Sequence, residues 1–146
     1  MNRIRLSDLI LQEYDSGTAY TRDAANVTPP VTGKYKCGTL VFRAKGLNPT
    51  ATYALAESTD LVATNEFAIL IGDHFQYESE IELLAVSAGK PNAVVLARGN
   101  AIVASWVIEE VGKANGLVAE DFPKVVQLLA NQGIIVEKTY GIRPTI

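Results

Sequence analysis

Apolar residues form a regular pattern only after residue 34 of this chain. In residues 1–34, polar stretches interrupt every apolar run before it becomes long. The exception is the stretch 6–14, whose apolar spacing permits one or two helical turns, although so short a helix is marginal without a partner. Pro29 and Pro30 favour an extended backbone and mark the end of this region. The pattern therefore predicts an extended N-terminal arm over residues 1–34.

Short β-type runs separated by turn residues fill most of the remaining chain, and they predict a mainly antiparallel β body over residues 35–146. Within the fourth run, Glu78, Glu80 and Glu82 alternate with apolar or uncharged residues, which places a charged face outward. The predicted strands are 35–42, 51–56, 66–71, 75–86 and 93–105.

The best helical pattern lies near residues 121–132, where apolar residues recur with a period of three to four. Asp121 is placed to cap this helix, Pro123 suits its first turn, and Gly133 is placed to end it. A β-branched run over 134–136 predicts a strand directly afterwards. The apolar stripe consists of Phe122, Val125, Val126 and Leu129.

These elements predict a mainly β fold with one C-terminal helix, which belongs to the α+β class. We expect a small antiparallel, barrel-like β body preceded by the extended arm. The segment 105–116 suits either the end of a strand or a short helix, and the pattern does not choose between them.

Composition limits the partners of the chain. With 146 residues, of which 48% are hydrophobic, the chain can bury one core of its own. Its formal net charge is only −3 and no run of like charges occurs, so we expect no direct contact with nucleic acid. Arg3 and Arg5 precede an apolar stretch that is broken at Asp8, so neither a signal peptide nor a membrane span is expected.

Cys37 and His74 are the only cysteine and the only histidine of the chain. One of each excludes an intramolecular disulfide and a multi-cysteine or multi-histidine metal site, and leaves a Cys-His dyad as the one nucleophile arrangement to test. Free cysteine is usually buried. We therefore expect Cys37 to be a buried strand residue and His74 a turn residue.

Carboxylates and glycines give no stronger indication of catalysis. Paired carboxylates occur in the fourth run and at the adjacent Glu109 and Glu110, but a general acid usually needs one carboxyl in an apolar pocket. The three glutamates on one alternating face of the fourth run resemble a solvated face. No phosphate-binding or nucleophile-elbow glycine motif occurs, and Gly99 within an apolar run indicates a bulge or turn. We expect no catalytic, cofactor-binding or metal-binding residue, and hence a protein that is not an enzyme.

Tyr14, Tyr20 and Tyr35 lie in or beside the predicted arm. A residue with an apolar ring and a polar tip suits a protein interface. The same residues could instead pack against their own domain, and the sequence leaves both alternatives open.

Several short segments share their order with one known family. Ser-Asp-Leu-Ile at 7–10 and Tyr-Thr-Arg-Asp at 20–23 are similar to that family's arm, and Gly-Thr-Leu-Val at 38–41 is similar to its first body strand. Phe-Ala-Ile-Leu-Ile at 67–71 and Val-Leu-Ala-Arg-Gly-Asn-Ala at 95–101 are similar to two later strands. With the helix, glycine and strand of 128–136, the chain resembles the head decoration proteins of tailed bacteriophages, of the lambda head protein D type.

The resemblance implies a homotrimer on the outside of the expanded phage head, at three-fold positions. It implies binding to the major capsid protein and stabilisation of the head against the pressure of packaged DNA, with no cofactor. The protein would be made in the cytoplasm of the host bacterium and would reside on the virion surface. The arm would add a strand to a coat-protein sheet. The contact residues that we expect are Leu9, Ile10, Tyr14, Tyr20, Arg22 and Val27.

Two other functions stay open from the sequence. The first is another structural virion protein, such as a head-completion or tail component. The second is a small enzyme or ligand-binding β module with a site near Cys37, His74 or the glutamate-rich strand.

Overall fold

The structure is a computed structural model that describes residues 6–13, 21–46, 51–73, 80–86 and 90–137. Within these residues the strands are β1 (Ile10–Glu13), β2 (Arg22–Ala25), β3 (Tyr35–Lys36), β4 (Thr39–Ala44), β5 (Ala54–Leu55), β6 (Asn65–Asp73), β7 (Glu80–Ile81), β8 (Ala93–Leu96), β9 (Ala101–Ala104) and β10 (Ile134–Glu137). The α-helices are α1 (Leu6–Leu9), α2 (Ser105–Ala114) and α3 (Phe122–Ala130), and short 3-10 helices lie at Ser58–Asp60 and Ala119–Asp121.

The larger sheet has five antiparallel strands in the order β2-β8-β6-β4-β5. Its central strand, β6, is buried at every position from 67 to 71. Because successive side chains of a strand point to opposite faces, this burial means that both faces of β6 are covered. β6 is therefore the middle of the core, and the predicted strand 66–71 is confirmed.

A smaller sheet has the order β1-β9-β10, in which β10 runs parallel to β9. Parallel strands cannot be joined by a tight turn and need a longer crossover. α2 and α3 lie in that crossover, and α2 buries Val107, Ile108 and Val111 on one side. The segment 105–116, which the sequence left open, is therefore mostly helical.

The described sheets confirm the mainly β fold with a C-terminal helix. Both sheets keep open edges, so the expected barrel-like body describes the architecture only loosely. A third, two-stranded sheet pairs β3 with β7. On and after β7, Glu80 and Glu82 are exposed while Ile81 and Leu83 are buried, which confirms the predicted outward face for this part of the run. Glu78 lies outside the described residues.

α3 matches the predicted helix with two corrections. Phe122, Val125 and Leu129 are buried as expected, but Val126 is 38% exposed. The buried stripe of α3 is therefore narrower than predicted. Asp121 is the N-cap residue of α3, as predicted, but its side chain makes no capping hydrogen bond to this helix. Its carboxylate instead accepts hydrogen bonds from the Val118 N–H (2.9 Å) and the Ser58 hydroxyl (2.6 Å), which fix the turn before the helix.

The backbones of Gly99 and Gly133 are in close contact where the link before β9 meets the link before β10. The Gly99 N–H donates to the Gln132 carbonyl at 2.9 Å, and a Cβ atom at position 99 would overlap the Gly133 backbone. Gly133 has a φ of +86°, which favours glycine after a helix. The predicted strand 93–105 is divided here into β8 and β9, as the glycine suggested, with its last residue, Ser105, beginning α2.

The predicted arm is not separate from the body. We use the term N-terminal segment for its described residues 6–13 and 21–27. β1 pairs with β9 and β2 pairs with β8, so both strands of the segment are edge strands of body sheets. Strand pairing therefore crosses the border predicted at residue 34. The polar composition of the segment concealed two deeply buried side chains, Leu9 and Val27.

Candidate functional site

The N-terminal segment holds four of the six predicted contact residues, and the structure places these four differently. Leu9 and Val27 are fully buried, so they contact the body and are not presented on the surface. Ile10 is partly buried against the core, and Arg22 forms an ion pair within the segment. The other two predicted residues, Tyr14 and Tyr20, lie outside the described residues.

Leu9 is the first buried anchor of the segment. A Cβ atom built on Gly38 would lie 3.9 Å from the Leu9 side chain, 3.0 Å from Val107 and 3.5 Å from Val111. Leu9 therefore fills the space between the turn after β3 and the buried side of α2. Gly38 has a φ of +102°, so this turn needs glycine for its backbone as well as for space.

Val27 is the second buried anchor, and its backbone is held by the buried side chain of Asn92. The Val27 N–H donates to Asn92 Oδ1 at 2.9 Å, and Asn92 Nδ2 donates to the Val27 carbonyl at 2.8 Å. Asn92 Nδ2 also donates to the Leu84 carbonyl at 2.7 Å. One amide thus satisfies three backbone groups and joins the segment to two body loops.

A charged cluster joins the two strands of the segment. Arg22 donates through Nε to Glu13 Oε2 at 2.9 Å and through its terminal nitrogen to Glu13 Oε1 at 2.8 Å, and the Thr21 hydroxyl also donates to Glu13. The hydrogen bond from Arg22 lowers the pKa of Glu13, against the opposing effect of burial. Because Glu13 belongs to β1 and Arg22 to β2, this bidentate pair connects the edges of the two sheets.

Sequence reasoning missed a charged depression of about 260 Å³ beside β4 and β6. Arg43 pairs with Glu66 directly across the sheet and lies 4.3 Å from the centre of the Tyr53 ring. Arg98 pairs with Asp23 of β2. The sequence shows opposite charges at positions 43 and 66. Only the fold provides the strand register that places these two residues opposite each other. The depression is lined by Arg43, Lys45, Tyr53, Glu66, Phe67, Ala97, Arg98 and Gln132.

The charges of this depression mostly compensate one another. The hydrogen bond to Asp23 raises the pKa of Arg98, and burial raises the pKa of Tyr53 against the effect of the Arg43 charge. Each guanidinium is thus held by a carboxylate from another strand, Asp23 or Glu66. The arrangement suits the joining of strands, and through Asp23 it includes the N-terminal segment.

Cys37 lies in the turn between β3 and β4, and not in a strand as predicted, but it is fully buried. Burial raises the pKa of its thiol to about 12, and the Asp8 charge acts in the same direction. Such a thiol is not ionised at neutral pH and is a poor nucleophile. His74, the other member of the hypothetical dyad, lies outside the described residues.

Other candidate groups are placed as follows. Tyr35 is buried and its hydroxyl donates to the Thr28 carbonyl at 3.3 Å, so this tyrosine packs against its own domain. Glu109 is exposed and Glu110 is partly exposed on α2. In the described parts of the chain, no group of three or more histidine, cysteine, aspartate or glutamate residues is placed to hold a metal ion. No helix among the same residues is long and apolar enough to cross a membrane.

The outer edges of β1 and β2 form the remaining candidate surface of the N-terminal segment. Among the described residues β1 and β2 each have one strand neighbour, and the chain that continues β2 forms an isolated bridge from Val27 to Tyr53. Leu11 on β1 is 43% exposed, and Ala24 on β2 is exposed. Comparison of the chain with protein-family models, curated proteins and solved structures gave no match.

Proposed function

We propose that this protein is a capsid decoration protein of a tailed bacteriophage. It binds the major capsid protein on the outside of the expanded head as a homotrimer, and it stabilises the head against internal DNA pressure. It acts by binding other proteins and not by catalysis. The ordered resemblance of its segments to the decoration family motivates this proposal, and the placement of the N-terminal segment supports it.

The observation that carries the proposal is the edge position of β1 and β2. The outer side of an edge strand presents backbone N–H and C=O groups that can pair with a strand of another protein. Both strands belong to the segment that the resemblance assigns to capsid binding. Because they are already extended and ordered on the body, a coat-protein strand can add to them without the cost of ordering a free arm, about 1–2 kcal/mol per residue.

In a trimer, contacts that are weak individually can together give firm binding to the capsid. Each four-residue edge strand offers few hydrogen bonds to a partner. Once one copy of a trimer has bound, the other two face their sites at an effective concentration in the millimolar range, by order of magnitude. Three modest contacts therefore give firm binding to a three-fold position.

The test is co-sedimentation of the purified protein with expanded, undecorated heads of the phage whose genome encodes this chain. We expect saturable binding of trimers, and sedimentation equilibrium of the free protein reports the trimer. Leu11→Glu places a charge on the β1 edge and is expected to weaken binding about tenfold.

Val126→Glu is the matched control, because Val126 is similarly exposed but lies on α3. It is expected to bind as the unmodified protein does. Absence of binding by the unmodified protein would overturn the proposed function. Equal loss of binding in both variants would contradict the role of the β1 edge. Rings larger than trimers would favour a head-completion or tail component.

A further inference from the structure

Departure of the N-terminal segment would break its two edge-strand pairs and the isolated bridge between Val27 and Tyr53, but no pair between two strands of the body. β1 lies at one edge of the smaller sheet and β2 at one edge of the larger sheet. Their departure leaves β8, β6, β4 and β5 paired in one sheet and β9 with β10 in the other. The segment is therefore a removable unit of two strands.

The link that follows the segment has the features of a hinge. Thr28 is held by hydrogen bonds from its N–H to the Tyr53 carbonyl (2.9 Å) and from the Tyr35 hydroxyl to its own carbonyl (3.3 Å). Residues 29–34 then connect it to β3 along the surface, and Val31 in their middle is completely exposed. Pro29 and Pro30 favour an extended path, which directs the chain away from a compact turn. Gly33, with a φ of +80°, has no atom within 4 Å of a Cβ position, so its surroundings are open.

The body provides a specific receptor for the segment. Leu9 fills the space near Gly38, Asn92 holds the backbone of Val27, and Arg98 holds Asp23. The Glu13–Arg22 pair lies inside the segment and would move with it. Any second copy of this chain carries the same receptor and the same segment, so complementarity between copies is complete.

We propose that the N-terminal segment is exchanged between copies of this chain. In the exchanged form, β1 and β2 of one copy pair with β9 and β8 of a second copy, with the same registers and the same anchors. The two forms have the same contacts outside the hinge, so high local concentration favours exchange. The proposal concerns a partner of the same sequence and does not depend on capsid binding.

The test uses a disulfide across the β2–β8 pair. Ala24 and Val94 are direct partners in the antiparallel register, and neither is fully buried. Facing residues of antiparallel strands lie about 4.5–5.5 Å apart between Cα atoms, which suits a disulfide. An Ala24→Cys variant and a Val94→Cys variant are mixed at high concentration, warmed and then oxidised.

We expect a covalent dimer in the mixture, with a disulfide between positions 24 and 94 of different chains identified by peptide mapping. Either variant alone cannot form that disulfide, and the unmodified chain shows the background of its buried Cys37. The double variant A24C/V94C, oxidised when dilute, is expected to close the disulfide within one chain and to stay non-covalent between chains.

Two results would overturn the proposal. One is closure of the disulfide in the dilute double variant without any 24–94 disulfide between chains in the concentrated mixture. The other is failure of the double variant to close at all, because the β2–β8 register on which exchange depends would then be wrong.

Discussion

Truncation of Leu9 to alanine tests whether the N-terminal segment is packed on the body. Leu9 is fully buried although it lies in a short helix near the start of the chain. It contacts the region where Gly38 meets Val107 and Val111 of α2. Leu9→Ala removes apolar contacts and leaves a cavity at this junction. A detached arm would not respond to the same change.

The expected loss follows from complete burial. Leu→Ala substitutions at buried sites lower the free energy of unfolding by about 2–5 kcal/mol. Leu9 lies on a segment at a sheet edge, which can shift into the vacated space, so we expect a value near the lower limit, about 2–3 kcal/mol. Because 1.4 kcal/mol is a factor of ten, the ratio of folded to unfolded protein falls roughly 30-fold or more.

Urea unfolding followed by the fluorescence of Trp106 measures this loss, because Trp106 is the single tryptophan and lies in α2. Leu11→Ala is the matched control. Leu11 lies two residues away and is 43% exposed, so its truncation is expected to change stability by only about 0.5 kcal/mol. Equal and small effects of both substitutions would refute the packing of the segment on the body.

Three further substitutions have defined outcomes in the same unfolding assay. Gly99→Ala forces a Cβ atom into the Gly133 backbone and is expected to lower stability by about 3 kcal/mol or more. Asn92→Ala leaves the buried N–H and C=O of Val27 without partners and is expected to cost about 2–4 kcal/mol. Glu13 has a pKa below its ordinary 4.5, so its ion pair stabilises the fold above pH 4.5 and this contribution is lost as pH falls through the lowered value. Glu13→Gln is therefore expected to remove about 1 kcal/mol at neutral pH and to flatten the decline of stability below pH 4.5.

Matched controls separate these mechanisms from general sensitivity. Gly46→Ala adds a Cβ atom in open space and is expected to be nearly neutral. Asn131→Ala removes an exposed amide after α3, and Glu137→Gln removes an exposed carboxylate on β10. A loss in Gly46→Ala or Asn131→Ala as large as that in its partner variant would contradict the corresponding mechanism. An unchanged acid profile in Glu13→Gln would contradict the Glu13 linkage.

The central strand and α3 were predictable because their signals are local. β6 is a continuous apolar run, and α3 combines a stripe of buried residues with a proline at its start and Gly133 after its end. α2 was ambiguous because residues 105–108 are apolar or small in a row. The parallel pairing of β9 with β10 requires a crossover, which usually contains a helix, and no local pattern reveals that pairing.

The pairing of the N-terminal segment with the body could not be predicted from the sequence, for a physical reason. An edge strand buries few side chains, so its sequence can be polar throughout and still pair. Here the packing depends on two buried residues, Leu9 and Val27, which are too far apart in sequence to form a periodic pattern. The amide of Asn92, 65 residues from Val27, completes the attachment. Contacts at such separation follow from the fold alone.

The rupture temperature of expanded phage heads tests the proposed function most directly. Heads are saturated with the purified protein, bound protein is quantified, and disruption is followed by calorimetry with undecorated heads as the reference. We expect decorated heads to rupture at a higher temperature, with the increase rising with occupancy until the three-fold positions are filled. An unchanged rupture temperature at full occupancy, or no binding at all, would contradict a capsid-stabilising role.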